Sequence, residues 1–316
     1  DFLTWSIERY PADQYFLILW NHGSGWWEDA RSRVATTKAA EDRSRRQIPR
    51  ASLFRHNTNL TNHSSHRSIC YDDTSGGDAL DNSELKNVLT NACTVIGKKI
   101  DILGMDACLM TMVEVAWQLR DSVEILVGSE IEEPNDGWPY AEILQFITAK
   151  PKSKTHIIAK EVVKQYVASY KDQGETVTQS AINTSATEEI IRALIPLAAE
   201  LLSDLDKNRK LIQWAWDHAP KFYDDNYLDL YAFARKLRSK DRGQIREKAD
   251  ALIAALRRAR RNLSSLTGSW GRKSRGQRAS LFISLRNTST RPIATWTLRS
   301  MRNGRSFWRG ISDEYN

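Results

Sequence analysis

Three apolar runs in the first half of the chain predict buried β-strands. The runs are YFLILW at residues 15–20, KIDILGM at 99–105 and VEILV at 123–127. The run at 15–20 is continuous, which is typical of a strand that is covered on both faces. Weaker signals predict the end of a helix over residues 1–10 and a short strand over 68–71.

Two helices are predicted between these strands. Asp81 and Glu84 form a capping-box pattern, which predicts a helix from there to about Cys93. Apolar residues recur at helical spacing over 109–119, directly after the second strand. Strands that alternate with helices predict a mostly parallel sheet with helices on its faces. We therefore expect a three-layer α/β sandwich over residues 1–150.

The second half of the chain has mainly helical patterns. Helices are predicted at residues 155–170, 187–205, 227–237 and 244–263, and a late strand is predicted at 279–285. We expect residues 151–316 to form a mainly helical C-terminal region that contributes this late strand. Residues 28–67 lack apolar periodicity, so we expect an exposed loop or insertion there, of a length typical of functional segments.

The overall composition narrows the class of protein. Of 316 residues, 41% are hydrophobic and 27% are charged, which is typical of a globular protein and not of a disordered or fibrous one. No apolar run in the sequence approaches the ~20 residues of a membrane helix. Three cysteines are too few for a disulfide scaffold.

Charge is distributed unevenly around a net value of +7. Residues 31–67 hold nine Lys and Arg against two acids, and residues 257–309 hold fourteen with no acid. Residues 100–142 hold ten acids against Arg120 alone. Such asymmetry bears on electrostatic fields and partners, not on the fold. The acidic window covers two of the predicted strand ends.

Cys108 and His22 follow two of the predicted strands, at the position where open α/β sheets bind ligands. We expect Cys108 at the start of a helix, where backbone N–H groups and the helix dipole would lower its thiol pKa. A thiolate is a nucleophile for acyl transfer, and a histidine supplies the proton for the leaving amine. The alternatives are a buried structural cysteine and a histidine in a polar loop. The presence of both residues after predicted strands supports a catalytic interpretation more strongly than either residue does alone.

Asp106 and Asp136 are candidate ligands for a cationic side chain. Asp106 ends a buried strand, where an unpaired acid would be costly. Two carboxylates suit the donors of a guanidinium or ammonium group. Because Asp136 lies in the turn-rich stretch EEPNDG, an ordinary solvated acid is the alternative there. Ser129, Glu130 and Trp138 are further candidates for lining the same pocket.

Three blocks of sequence resemble the clostripain family of cysteine peptidases, part of a wider caspase-like group. They are ADQYFLILWNHGSGWW at residues 12–27, DILGMDACLMTMVEVAWQLR at 101–120 and EILVGSEIEEPNDGWPY at 124–140. The resemblance is strong over residues 1–150 and weaker around 226–234 and 277–285. It implies a caspase-like fold in which a further strand and helix precede the histidine strand, so we expect the chain to begin inside that fold.

The resemblance also implies an endopeptidase that cuts after Arg or Lys. By position, Cys108 matches the nucleophile and His22 the general acid and base, and the backbone N–H groups of Gly23 and Cys108 match the oxyanion hole. Asp106 and Asp136 match the acids of the specificity pocket. The implied partners are peptide or protein substrates with Arg or Lys at the cleavage site. The resemblance favours a secreted or periplasmic location, and we expect a monomer. Some relatives depend on calcium, so calcium is a candidate cofactor, although the chemistry itself requires none.

The basic residues after the histidine motif have two interpretations. One is a solvated loop. The other, implied by the resemblance, is a self-processing segment that occupies the acidic pocket until the protein cuts it within residues 31–50. The candidate cleavage sites are Arg31, Arg33, Lys38, Arg43, Arg45, Arg46 and Arg50.

Three other interpretations rest on groups of residue types. One group contains residues of the kind that bind zinc, in an order that fits no structural zinc signature: His56, His63, His66 and Cys70. Another contains acids of the kind that bind calcium, without EF-hand spacing: Asp72, Asp73 and Asp78. The basic window 257–309 raises the alternative of an inactive peptidase-like protein that binds nucleic acid or another polyanion. No nucleic-acid motif accompanies it, so nucleic acid is not the expected partner.

Overall fold

The structure is a computed structural model of the chain, and it describes residues 1–25, 68–72, 78–223, 227–262, 267–270 and 282–284. The strands in these ranges are β1 Phe16–Trp20, β2 Ser68–Asp72, β3 Asp78–Asp81, β4 Ile100–Asp106, β5 Val123–Gly128, β6 Val177–Asn183, β7 Tyr227–Asp229, β8 Thr267–Trp270 and β9 Phe282–Ser284. The helices are α1 Phe2–Arg9, α2 Asn82–Ile96, α3 Val113–Gln118, α4 Tyr140–Ala149, α5 Thr155–Ser169, α6 Ala186–Ser203, α7 Leu205–Asp217, α8 Leu230–Lys240 and α9 Gln244–Asn262.

A five-stranded sheet in the order β1-β4-β5-β6-β8 forms the middle layer. β1, β4 and β5 pair in parallel, while β6 is antiparallel to both of its neighbours. Four of the five strands therefore run in one direction, and the predicted mostly parallel sheet is confirmed. Two antiparallel pairs, β2 with β3 and β7 with β9, form separate two-stranded sheets.

The strand β4 is buried along its whole length, as its apolar run predicts. Asp101, near its start, accepts a hydrogen bond from the Tyr15 N–H at 2.8 Å and pairs with Lys98 at 2.8 Å. These contacts hold the chain that enters β1 against the start of β4. They also satisfy a carboxylate that would be costly to bury alone.

Helices cover both faces of the sheet. Successive residues of a strand point to opposite sides, so an apolar strand presents apolar side chains on both faces. Leu103 of β4 packs in a core with residues of α1, α2 and α3. Ile102, its neighbour, packs in a second core with residues of α4 and α5. The three-layer α/β sandwich is therefore confirmed.

The capping pattern at the start of α2 is confirmed. The Asp81 carboxylate accepts hydrogen bonds from the Ser83 and Glu84 N–H groups, both at 2.7 Å, and Glu84 accepts one from the Asp81 N–H at 3.0 Å. The helix ends at Gly97, whose φ of 76° favours glycine. It is therefore three residues longer than the pattern predicts.

The second half of the chain is mainly helical but also extends the central sheet. A third apolar core joins α6, α7, α8 and α9 with Val113 and Trp117 of α3. β6 and β8 belong to the central sheet, so the predicted boundary at residue 150 does not coincide with the edge of that sheet. The late strand predicted at 279–285 corresponds to β9, which pairs with β7.

Two of the features noted in the sequence fall outside the described residues. These are the predicted loop at 28–67 and most of the basic window 257–309. Within the described part of the chain, no helix has the length and apolar character needed to cross a membrane.

Candidate active site

The register between β1 and β4 brings His22 and Cys108 to the same end of the sheet. Trp20 pairs with Asp106 at the carboxyl ends of these two parallel strands. His22 and Cys108 each lie two residues beyond this pair. The chain therefore presents both residues from adjacent strand ends, in the place where such sheets bind ligands.

The loop that carries His22 is held by β2. The side-chain amide of Asn21 donates to the Tyr71 carbonyl at 3.1 Å, and its oxygen accepts from the His22 N–H at 2.5 Å. The His22 carbonyl accepts from the Cys70 N–H at 3.2 Å, and Gly23 forms an antiparallel bridge to β2. Asn21 thus fixes the backbone of the loop and is a positioning residue.

The loops that carry His22 and Cys108 are in direct contact. A Cβ on Gly23 would stand 2.5 Å from the Cys108 carbonyl oxygen and 2.9 Å from Cγ of Met110. Both distances are shorter than van der Waals contact, so only glycine permits this approach. The backbone N–H groups of Gly23 and Cys108, the predicted oxyanion hole, belong to these two contacting segments.

Cys108 does not lie at a helix N-terminus, which corrects the expectation from the sequence. The helix α3 begins only at Val113. The Leu109 N–H donates to the Ile131 carbonyl at 3.2 Å, and the Thr111 N–H donates to the Ser129 carbonyl at 3.1 Å. Leu109 has a φ of 65°, which a residue with a Cβ rarely adopts. This backbone conformation and the pairing with the segment after β5 replace the first turns of the predicted helix.

The environment of Cys108 favours the thiol over the thiolate. Burial raises its pKa to about 11, and the charges of Glu132 and Asp106 act in the same direction. The Glu133 N–H opposes them by donating to Sγ at 3.3 Å. The lowered pKa expected from a helix dipole is therefore wrong. A base must take the thiol proton before the sulfur can attack.

Asp106 is buried and holds the segment that follows Gly137. Its Oδ2 accepts hydrogen bonds from the Trp138 N–H at 3.1 Å and from the Tyr140 hydroxyl at 2.6 Å. A Cβ on Gly137, which has a φ of 61°, would stand 2.8 Å from the same oxygen. The ring of Trp138 in turn packs on Gly104, where a Cβ would stand 2.8 Å from it. Asp106 is therefore a fixed carboxylate in the wall next to Cys108.

Glu133 is a second carboxyl group beside Asp106. Its Oε1 lies 3.5 Å from the indole nitrogen of Trp138, and its Oε2 is buried with no hydrogen-bond partner among the described residues. Burial, and then the charge of Asp106, raise the pKa of Glu133 well above its usual range. The Tyr166 hydroxyl is also buried, and the charge of Glu133 contributes to its raised pKa. Two carboxyl groups, with Trp138, Tyr140 and Tyr166 beside them, thus lie next to Cys108.

Ser129 and Glu130 are fully buried, and their side chains face β6. The Ser129 hydroxyl lies 3.1 Å from that of Thr178, and Glu130 accepts a hydrogen bond from Ser180. Burial raises the pKa of Glu130 to about 7, although the hydroxyls of Ser180 and Thr178 oppose the shift. The roles of Ser129 and Glu130 in substrate binding stay predictions.

The remaining candidates lie on the surface or outside the described ranges. Asp136 is exposed on the loop between Glu133 and Gly137, and its role in specificity stays a prediction. The candidate cleavage sites between residues 31 and 50 lie outside the described ranges, as do His56, His63, His66 and Asp73. Within those ranges, no three His, Cys, Asp or Glu side chains are grouped so that they could hold a metal ion.

Sequence reasoning missed Glu133, Tyr140 and Tyr166 at this site. Glu133 lies in a turn-rich acidic stretch where every carboxylate is an equal candidate for solvation. Tyr140 and Tyr166 lie on helices, and a tyrosine on an apolar helix face is typical of a core residue. The sequence contains one indication that Glu133 is ordered, which is the proline that follows it in Glu132-Glu133-Pro134. A proline restricts the backbone of the residue before it and favours an ordered turn.

Comparison with known proteins identifies a family. The model of the peptidase C11 family, described as the clostripain family, matches residues 54–279. Clostripain of Hathewaya histolytica is 28% identical over 158 residues, which are 47% of this chain. The match spans 23% of the length of that protein.

Solved structures of similar fold come from species of Bacteroides and Parabacteroides. A secreted C11 cysteine protease from Bacteroides thetaiotaomicron, in complex with an irreversible peptide inhibitor, covers all of this chain and 77% of its own length, with 15% identity and a TM-score of 0.60. An inactive zymogen C11 protease from Parabacteroides distasonis covers 98% of this chain and 73% of its own, with 15% identity and a TM-score of 0.55. At this level of identity, the two structures support the fold alone.

Proposed function

The chain belongs to the clostripain family, and we propose that it is a cysteine endopeptidase that cleaves peptides after Arg or Lys. Cys108 is the nucleophile and His22 is the general acid and base. The observation that carries this proposal is the pairing of Trp20 with Asp106, because it starts the two reactive residues from adjacent strand ends. The tight contact of Gly23 with Cys108 supports it further.

The reaction begins with a neutral thiol. Because burial raises the pKa of Cys108 to about 11, His22 takes the thiol proton as Sγ attacks the carbonyl carbon of the peptide bond. The oxyanion that forms is stabilised by the N–H groups of Gly23 and Cys108. His22 then gives the proton to the leaving amine, which leaves a thioester. Water hydrolyses the thioester, with His22 again as the base.

The acidic pocket supplies the preference for a cation at P1, the residue before the cleaved bond. Asp106 is buried two residues before the nucleophile, and Asp136 lies on the adjoining loop. A guanidinium or ammonium group offers donors that match these carboxylates. The acids near Cys108 favour the approach of such a group, because salt screens the distant basic charges beyond about 8 Å.

A set of fluorogenic peptides that differ only at P1 tests this proposal, with and without calcium. We expect hydrolysis after Arg and Lys, and none by the Cys108→Ala variant. A protein that hydrolyses none of these peptides, but binds DNA or RNA in a salt-sensitive manner, would contradict the proposal and favour the polyanion alternative.

We also propose that the protein cuts itself within residues 31–50. This segment offers seven Lys and Arg residues after the histidine motif. Intact-mass measurement of the purified protein should give fragments that end at one of these residues, while Cys108→Ala stays at full length. A full-length protein with full activity would contradict self-processing without affecting the proposed peptidase activity.

A further inference from the structure

Asp106 and Glu133 are two buried carboxyl groups that lie beside each other, and their oxygen atoms differ in the hydrogen bonds that they accept. Oδ2 of Asp106 accepts hydrogen bonds from Trp138 and Tyr140. Oε2 of Glu133 is buried with no partner in the described part of the chain. A buried carboxyl oxygen without a donor is costly, so this arrangement calls for a proton or a cation at Glu133.

Several described groups interact electrostatically with Glu133. They are Asp106 from β4, Cys108 from the loop after it, Tyr140 from α4 and Tyr166 from α5. His22 belongs to the neighbouring loop, which contacts Cys108 through Gly23. A proton on Glu133 would remove the repulsion between its carboxylate and that of Asp106 in the free protein.

We propose that Glu133 is a further specificity-determining residue, which is protonated in the free protein and releases its proton to solvent when a Lys or Arg side chain enters. The inference rests on the proposed function, because it requires a cationic P1 side chain beside these carboxyl groups. The charges balance, since one proton leaves Glu133 as one positive charge arrives. A neutral side chain would leave the proton in place and would gain no ion pair with Glu133.

The exchange couples substrate binding to pH. Burial and Asp106 raise the pKa of Glu133 in the free protein, so the proton is held at acidic pH and competes with the substrate cation. The KM for an Arg substrate should therefore fall as pH rises. The KM for the same peptide with citrulline should not, because citrulline has the shape of arginine without its charge.

Calorimetric titration with benzamidine, a small P1-like cation, tests the exchange directly. The titration is run at pH 6 in two buffers of different ionisation enthalpy, which gives the number of protons released. We expect about one proton for the wild-type protein and close to none for Glu133→Gln, with binding weaker by about tenfold or more. Glu124→Gln is the control, since Glu124 is an exposed carboxyl group near the start of β5, at the end of the strand away from Cys108, and it should behave as the wild-type protein.

Several outcomes would overturn the inference. One is that Glu133→Gln releases the same number of protons as the wild-type protein. Another is that it loses kcat/KM equally for Arg and citrulline peptides, which indicates a structural role only. If Glu133→Gln does not fold, equal pH profiles of KM for the two peptides in the wild-type protein would be decisive. A wild-type protein that binds benzamidine and cleaves after Arg without this proton release refutes the inference alone. One that does neither refutes the proposed function and the inference with it.

Discussion

Gly23 lies so close to Cys108 that a Cβ on Gly23 would stand 2.5 Å from the Cys108 carbonyl oxygen. The two residues belong to loops that follow different strands, β1 and β4. Their contact keeps the backbone around His22 against the backbone around the nucleophile. A displacement of about 1 Å at a reacting centre is enough to cost roughly 100-fold in rate.

Gly23→Ala should therefore reduce kcat/KM by about 100-fold or more, because the added methyl group pushes the two loops apart. Gly174→Ala is the control, since Gly174 has a φ of 75° but no heavy atom within 4 Å of the position that a Cβ would take. That substitution should cost about 1 kcal/mol of stability and leave kcat/KM unchanged. Steady-state kinetics and thermal unfolding separate the two effects. Full activity in Gly23→Ala would mean that the contact does not position the dyad.

Cys108→Ala and His22→Ala should each reduce kcat by at least about 1,000-fold while the protein stays folded. The first removes the nucleophile, and the second removes the base that a thiol with a raised pKa requires. Cys93→Ala is the control, because Cys93 donates a hydrogen bond to the Ser122 carbonyl at 3.1 Å, away from the site. Circular dichroism checks the fold of each variant. Residual activity above this level would mean that another residue acts as the nucleophile, in Cys108→Ala, or as the base, in His22→Ala.

Asp136→Ala should lower kcat/KM for Arg and Lys peptides by about 10- to 100-fold, the range expected for a charged hydrogen bond. Peptides with citrulline at P1 should be affected much less. Asp172→Ala, at another exposed acid, should change neither. An unchanged kcat/KM for the cationic peptides would remove Asp136 from the specificity pocket and leave Asp106 and Glu133 as its acids.

Glu130 should make the free energy of unfolding depend on pH. A glutamate in the unfolded chain ionises near pH 4.5, whereas burial keeps Glu130 protonated in the folded protein up to about pH 7. The stability that this proton contributes is complete below pH 4.5 and is lost as pH rises to about 7.

A glutamine at position 130 cannot ionise. The free energy of unfolding of Glu130→Gln, relative to that of the wild-type protein, should therefore rise by about 2 kcal/mol between pH 5 and pH 8. Denaturant unfolding at the two pH values measures the difference. Glu124→Gln, an exposed substitution in β5, should not change it. A constant difference for Glu130→Gln would show that this carboxyl ionises normally.

The strands that position the site could be predicted because each is mainly apolar. The runs that form β1, β4 and β5 mark their own boundaries to within about two residues, and the capping box marks the start of α2. β6 could not be recognised in this way. It carries Thr178, Gln179 and Ser180, which are buried polar residues, and their burial depends on partners that the local sequence does not reveal.

The site itself was accessible to sequence reasoning only in part. The position of Cys108 and His22 after neighbouring strands follows from the order of elements in a parallel sheet. The length of α3 does not, because residues 109–111 pair with a segment some twenty residues further along the chain. Glu133 comes beside Asp106 through the same long-range pairing, and the spacing of charges along the chain gives no sign of it.

The ladder between β1 and β4 sets limits on how this protein can be redesigned. Two residues of chain separate the Trp20 and Asp106 pair from His22 and Cys108, so deletion of one residue from either strand would shift one partner relative to the other by about 3.3 Å. Insertions beyond Gly25 would leave that spacing intact. A redesign should therefore keep the lengths of β1 and β4, and of the two-residue segments that follow them, unchanged.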